Sequence, residues 1–124
     1  MCPAKLTEAD LQHALPDMLS SYRLPGLDGT IEIVRDGHGI PHVSATTMHD
    51  VFFGQGFATT QDRLWHMDYD RRRAYGRWAE FAGKAAVEGD LLMRKMQIGA
   101  SVCRDYQALN QEAKMMLDAY SYRV

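Results

Sequence analysis

Apolar residues recur along this chain with two different periods, and the point where one gives way to the other divides it. Over residues 7–22, Leu11, Leu15, Met18 and Leu19 fall at helical spacing, with Thr7 as N-cap and Asp10 three positions on. Pro16 is expected to break or kink this helix. The run Leu24-Pro25-Gly26-Leu27-Asp28-Gly29 is turn chemistry and predicts a connection to the main body. In TIEIVR, residues 30–35, Ile31 and Ile33 share one face and Glu32 takes the other, the period-two pattern of a half-buried strand. Asp36-Gly37-His38-Gly39 supplies residues that tolerate positive φ, and 40–45 reads as the returning strand of a β-hairpin, with Pro41 at its beginning or edge. After Thr46-Thr47 the period becomes helical, predicting helices near 48–53, 58–75, 77–81, 90–97, 100–108 and 111–122, with Gly54, Gly56, Gly76, Gly83, Gly89 and Gly99 at the joints. The last helix carries Ala113, Met116, Leu117 and Tyr120 on one stripe and meets no stop signal, as expected of a chain cut from something longer. The fold class is therefore α+β, mostly helical with an N-terminal β-hairpin. Residues 1–29 form a helical extension and linker, and residues 30–124 the main segment.

Composition narrows the function classes. A chain of 124 residues, 46% hydrophobic and 24% charged, is the size of one globular domain and too short for a self-contained multidomain enzyme. A net charge of -2 provides no global field for nucleic acid or an anionic membrane. No apolar run approaches a membrane span, and no leader-like core follows Met1, so the expectation is a cytoplasmic chain, or a periplasmic one if a leader was removed.

Candidate chemistry concentrates in Gln61-Asp62-Arg63-Leu64-Trp65-His66-Met67-Asp68-Tyr69-Asp70-Arg71-Arg72-Arg73. Helical spacing sets Asp62 beside His66 and Asp68 beside Arg72, which favours an intramolecular ion-pair network over a free basic patch. His38, His42, His49 and His66 are scattered over the hairpin and two helices, so no metal site is assigned. Cys2 lacks the context of an N-terminal nucleophile, and Cys103 is expected to be a small buried hydrophobe. Trp65, Trp78, Phe52, Phe53, Phe57, Tyr75 and Phe81 are expected to be core. From its own residues the chain shows no nucleophile–base pair, phosphate loop or metal box.

The ordered blocks IEIVRDGHGIPHVSA at 31–45 and DVFFGQGFATTQDRLWHMDYDRRRAYGRWAEFAG at 50–83, followed by Asp90 and Arg94, closely resemble the amino-terminal part of the penicillin acylase (penicillin amidase) family, over residues 31–124. The resemblance implies part of the αββα architecture of the N-terminal nucleophile hydrolases, completed by a separate β chain cut from the same precursor. It implies hydrolysis of the amide of small N-acyl substrates, β-lactam side chains or acyl-homoserine lactones. The nucleophile would be the amino-terminal serine of the β chain, with its own α-amine, of pKa about 8, as base. It places no catalytic residue and no metal ligand in this chain, and the substrate-binding residues are not assigned. Arg35, Asp36, His42, Gln61, Asp62, Arg63, Arg72 and Glu80 are given structural and interface work. It also implies inactivity for this chain alone and the β chain as partner, and calcium is left to the complete enzyme; on charge and apolar pattern, neither nucleic acid nor membrane is expected as a partner. Two other readings stand beside it: an independent helical module binding an acidic partner through the Arg71–Arg73 face, and a non-catalytic remnant.

Overall fold

The computed structural model describes residues 7–15, 17 and 19–122. Helix α1, Glu8–His13, starts where the sequence predicts. Its capping box is complete: the Asp10 N–H donates to Thr7 Oγ1 (3.2 Å) and the Thr7 N–H to Asp10 Oδ2 (2.8 Å). The helix is much shorter than the pattern suggests, and Leu11, Leu15 and Leu19 are exposed, because no second element lies against their stripe to bury it. Pro16, Met18 and Cys2 lie outside the described residues.

Strands β1, Glu32–Arg35, and β2, Pro41–Ser44, pair antiparallel with Ile33 opposite Val43 and Arg35 opposite Pro41. The turn between them is built on Asp36. Its carbonyl accepts from the Gly39 N–H (2.9 Å) and its carboxylate from the N–H groups of His38 (2.8 Å) and Ile40 (3.0 Å), with Gly39 at φ 78 as the left-handed residue the loop requires.

Helix α2, Met48–Ala74, is one continuous element where the glycines suggest two, and its kink falls at Arg63 (φ -139, ψ 22). Gly54 and Gly56 are not joints. They are points where other elements come close. A Cβ on Gly54 would lie 2.7 Å from Val43 Cγ1 and 2.9 Å from Ile31 Cγ2, so the hairpin rests directly on α2 there. A Cβ on Gly56 would collide with the main chain of Tyr120 in α6, Gln111–Ser121. The buried core follows from these approaches: Phe53, Ala58 and Ala119 are all within 3% of complete burial.

Beyond α2 the chain turns through a Schellman motif, with Gly76 at φ 61, the Gly76 N–H donating to Arg73 O (2.9 Å) and the Arg77 N–H to Arg72 O (2.8 Å). Short α3, Ala79–Ala82, a 3₁₀ turn at Lys84–Ala86, α4, Val87–Met96, and α5, Ile98–Ala108, follow. The break between α4 and α5 falls at Gln97 (φ 52), while the expected joint Gly99 sits inside α5 with its α-carbon facing the Tyr75 ring, and Gly89 lies within α4. Cys103 is exposed, against expectation, because α5 lacks a neighbour on that side.

The accessible surface of 10013 Å² far exceeds the roughly 6,700 Å² of a compact 14 kDa globule. Three glycines give a test of this packing. Gly56→Ala should destabilise by about 1–3 kcal/mol or more, because the obstacle is backbone, and Gly54→Ala by less, because side chains can shift. Gly89→Ala, which meets nothing, should stabilise by about 0.5–1 kcal/mol. Thermal unfolding of the three variants checks the order.

Candidate functional site

Three polar clusters are built where elements meet. In the first, Arg35 leaves β1 and reaches α2, donating from Nη1 to Asp62 Oδ2 (2.9 Å) and from Nη2 to Asp62 Oδ1 (2.8 Å), with further bonds to the Gly39 carbonyl (3.1 Å) and Gln61 Oε1 (3.5 Å). The Arg35 side chain is only 8% exposed, so this fork is a partly desolvated tie between hairpin and helix. It also corrects an expected pair: Asp62 turns to Arg35, and His66 faces Asp70 instead (3.2 Å). Asp36 and His42 meet at 3.3 Å on the hairpin, where the Ile40 and His38 amides, and then His42, hold the Asp36 carboxyl below its ordinary pKa.

The second cluster surrounds the turn after α2. Asp68 accepts from Arg72 Nε (2.7 Å) and Arg71 Nη2 (2.6 Å), and these two bonds lower its pKa. Glu80 receives Arg77 through two bonds (2.8 and 3.1 Å) and Arg72 at 3.5 Å, and its pKa is lowered chiefly by Arg77. Buried Asp90, on α4, accepts from the Trp78 (3.0 Å) and Ala79 (2.7 Å) N–H groups, while Arg94 Nε donates to the Gly76 carbonyl (2.8 Å). Arg73 lies over the Tyr69 ring and donates to its hydroxyl. All three guanidinium groups of Arg71–Arg73 are thus engaged, Arg71 and Arg72 with carboxylates and Arg73 with the Tyr69 ring and hydroxyl. Arg63, at the kink, is exposed and has no partner among the described residues.

The third cluster was missed by sequence reading. Asp50, wholly buried at the start of α2, accepts from the N–H groups of Asp28 (3.1 Å) and Gly29 (2.8 Å), and His49 Nδ1 lies 3.1 Å from Asp50 Oδ1 and 3.9 Å from Asp28 Oδ2. One ligand atom from each of Asp28, His49 and Asp50 falls within 4.8 Å of the others, the group of described residues that could gather on a cation. In the structure those atoms satisfy one another and the linker backbone. Burial alone would raise the Asp50 pKa, but the Asp28 amide, His49 and the Gly29 amide outweigh it and lower it. The only available signal was Asp28 in a turn and adjacent His49-Asp50 at a helix start.

The expected aromatic core divides: Phe53 is buried, Phe52, Phe57 and Trp78 are half-buried, and Trp65, Tyr75 and Phe81 are exposed. Trp78 stacks on Phe81 (5.3 Å) and meets Tyr69 edge-on (4.6 Å), and Trp65 contacts Phe81 (5.2 Å), yet Trp65 is 58% and Phe81 65% exposed.

The first cluster and most of the second fall in the sequence blocks at 31–45 and 50–83, with Asp90 and Arg94 beyond them and Asp28, Gly29 and His49 of the third cluster outside, and the penicillin amidase family model matches residues 30–122. The chain belongs to the penicillin amidase family. It is 44% identical over 117 residues to penicillin acylase 2 proenzyme of Pseudomonas sp. (strain SE83), covering 94% of this chain and 15% of that protein. It is 35% identical over 104 residues to penicillin G acylase of Escherichia coli (81% and 12%), and 32% over 101 residues to acyl-homoserine lactone acylase QuiP of Pseudomonas syringae pv. tomato (82% and 12%). The structure resembles the thermostable penicillin G acylase of Alcaligenes faecalis with a TM-score of 0.67 and 33% identity, over 74% of this chain and 49% of that one. The chain therefore spans about one eighth to one seventh of the curated relatives' length, and its mostly helical fold with an N-terminal hairpin is that of a segment of this N-terminal nucleophile hydrolase family.

Three outcomes test the clusters. Arg35→Lys keeps charge but loses the two-pronged bond to Asp62, and should lower stability by about 1–3 kcal/mol in a thermal melt. Because Asp50, Asp68 and Glu80 all have depressed folded-state pKa values, their contribution is complete above about pH 4 and is lost as pH falls through the folded values. Tm measured from pH 7 to pH 2 should drop on the acid side. Asp50→Asn should lower Tm at pH 7 and make that acid fall shallower.

Proposed function

We propose that this chain is the amino-terminal portion of the α subunit of a penicillin acylase-like amidohydrolase, one of two chains cut from a common precursor. The observation that carries this reading is the family match over residues 30–122. The lengths support the two-chain arrangement: the same stretch makes up about half of the solved Alcaligenes chain but only 12–15% of the curated relatives, one of which is named a proenzyme. The large uncovered surface fits a segment that folds against a companion.

The reaction is hydrolysis of an N-acyl amide, the bond common to penicillin acylases and acyl-homoserine lactone acylases. The nucleophile is the amino-terminal serine of the companion chain and its α-amine the base, an amine titrating at about 8 being suited to that role near neutral pH. Arg35, Asp36, His42, Gln61, Asp62, Arg72 and Glu80 hold hairpin, helix and turn in register, and Arg63 is left to the interface. This chain on its own is inactive.

Purification from the full coding sequence, followed by intact mass and amino-terminal sequencing, tests the reading. A second, larger chain beginning with serine is expected, together with hydrolysis of N-acyl amides by the pair and none by this chain alone. A single unprocessed species that hydrolyses no N-acyl amide would overturn it.

A further inference from the structure

Asp28 and His49 lie outside the blocks that carry the family resemblance, yet the fold brings both to Asp50 at the start of α2. Asp50 fixes the approach, because its carboxylate takes the Asp28 and Gly29 amides (3.1 and 2.8 Å) and so holds the linker against the first turn of the helix. The Asp28 side chain is thereby set beside His49, whose Nδ1 stands 3.1 Å from Asp50 Oδ1 and 3.9 Å from Asp28 Oδ2. Neighbouring ligand atoms of a tetrahedral zinc site, with bonds of about 2.0–2.2 Å, stand about 3.3–3.6 Å apart. The Nδ1–Oδ1 separation is already that short, and a shift of about half an ångström in the exposed Asp28 side chain brings Oδ2 to the same range.

The existing hydrogen bonds leave room for an ion. Asp50 Oδ1 accepts the Asp28 amide and Asp28 Oδ2 the Thr47 hydroxyl (3.2 Å), and a carboxylate oxygen has a second acceptor position. His49 Nδ1 becomes a ligand when the ring carries its proton on Nε2, and the ion then takes the place of a proton between Nδ1 and Asp50 Oδ1. Charge favours the exchange: two carboxylates converge, one of them wholly buried, and a divalent ion beside a neutral imidazole cancels both. The positive end of the α2 dipole, about half a charge, opposes a cation and is outweighed by that pair. One imidazole and two carboxylate oxygens, with a position open toward solvent past Asp28, suit zinc, whereas calcium takes about six to eight oxygen ligands.

We propose that Asp28, His49 and Asp50 form a zinc-class divalent metal site that pins the linker ahead of β1 to the start of α2. The ligands are Asp28 Oδ2, His49 Nδ1 and Asp50 Oδ1, with water completing the shell. The stretch between Asp28 and His49 contains the whole hairpin, so the ion closes a loop around it and cross-links its entry to the helix on which it rests. Sequence spacing gave no sign of this, because one ligand comes from 22 residues upstream of Asp50 and the histidines themselves do not converge. The site is made by this chain's own residues and stands whether or not the two-chain reading does.

The test uses the protein produced from its full coding sequence, stripped with a chelator and returned to buffer holding excess calcium, so that sites for hard cations are filled before zinc chloride is titrated in. Zinc retained after gel filtration is counted by elemental analysis, and affinity is read by calorimetry. The wild-type protein should hold one molar equivalent that Asp28→Asn and His49→Gln lose or bind at least about tenfold more weakly. His66→Gln, which alters the exposed histidine facing Asp70, should bind as the wild type does. Zinc should raise the Tm of the wild type and His66→Gln by the same amount, and that of the other two by less. Hydrogen exchange on the wild type needs no variant to fold: zinc should slow the amides of residues 26–30 at least about tenfold and leave those of α5 unchanged. Equal zinc uptake by all four proteins, displacement of the zinc by calcium, or linker amides that exchange alike with and without zinc would overturn the site.

Discussion

The architecture depends on backbone-to-element contact along the first half of α2. Gly54 and Gly56 are two residues apart, so they face different sides of the helix, and each lets a neighbour approach to a distance a Cβ would forbid. The hairpin settles on one side through Ile31 and Val43, and α6 crosses the other through the main chain at Tyr120. Phe53 and Ala58 are buried because those two approaches close over them. The second half of α2, beyond the kink at Arg63, has no such cover, and its aromatic and charged side chains lie largely at the surface.

Around that frame, two carboxylates do the same job at two places. Asp50 takes the consecutive amides of Asp28 and Gly29, and Asp90 those of Trp78 and Ala79. A buried acceptor with two oxygens satisfies two donors of an irregular segment at once, which fixes a turn that no helix or strand could hold. Asp50 in this way anchors the linker ahead of β1. Asp90, with Arg94, anchors the turn that redirects the chain after α2.

Within this chain, the charged residues and glycines of the blocks at 31–45 and 50–83 make contacts between elements. The V-R-D and Q-D-R blocks meet as the Arg35–Asp62 fork, the F-G-x-G block supplies the two close approaches, and the G-R-x-A-E block with Asp90 and Arg94 forms one pinned turn. Blocks separated in sequence are therefore coupled in space.

Local order was legible in the sequence because it is set by neighbours along the chain. The Thr7 capping box, the hairpin with Gly39 in its turn, the Asp68–Arg72 pair and the helical character after Thr47 all follow from spacings of two to four residues. The family resemblance was legible for the same reason, being a matter of ordered local blocks. What tertiary structure alone decided involves residues far apart: Asp62 chose Arg35 over His66, Gly54 and Gly56 became contacts rather than breaks, and Asp50 drew in the linker 21 and 22 residues upstream. Exposure was the least predictable property. Trp65, Phe81 and Cys103 carry the chemistry of buried residues, but burial requires an element on the other side, and only the packed structure reveals where this chain supplies none.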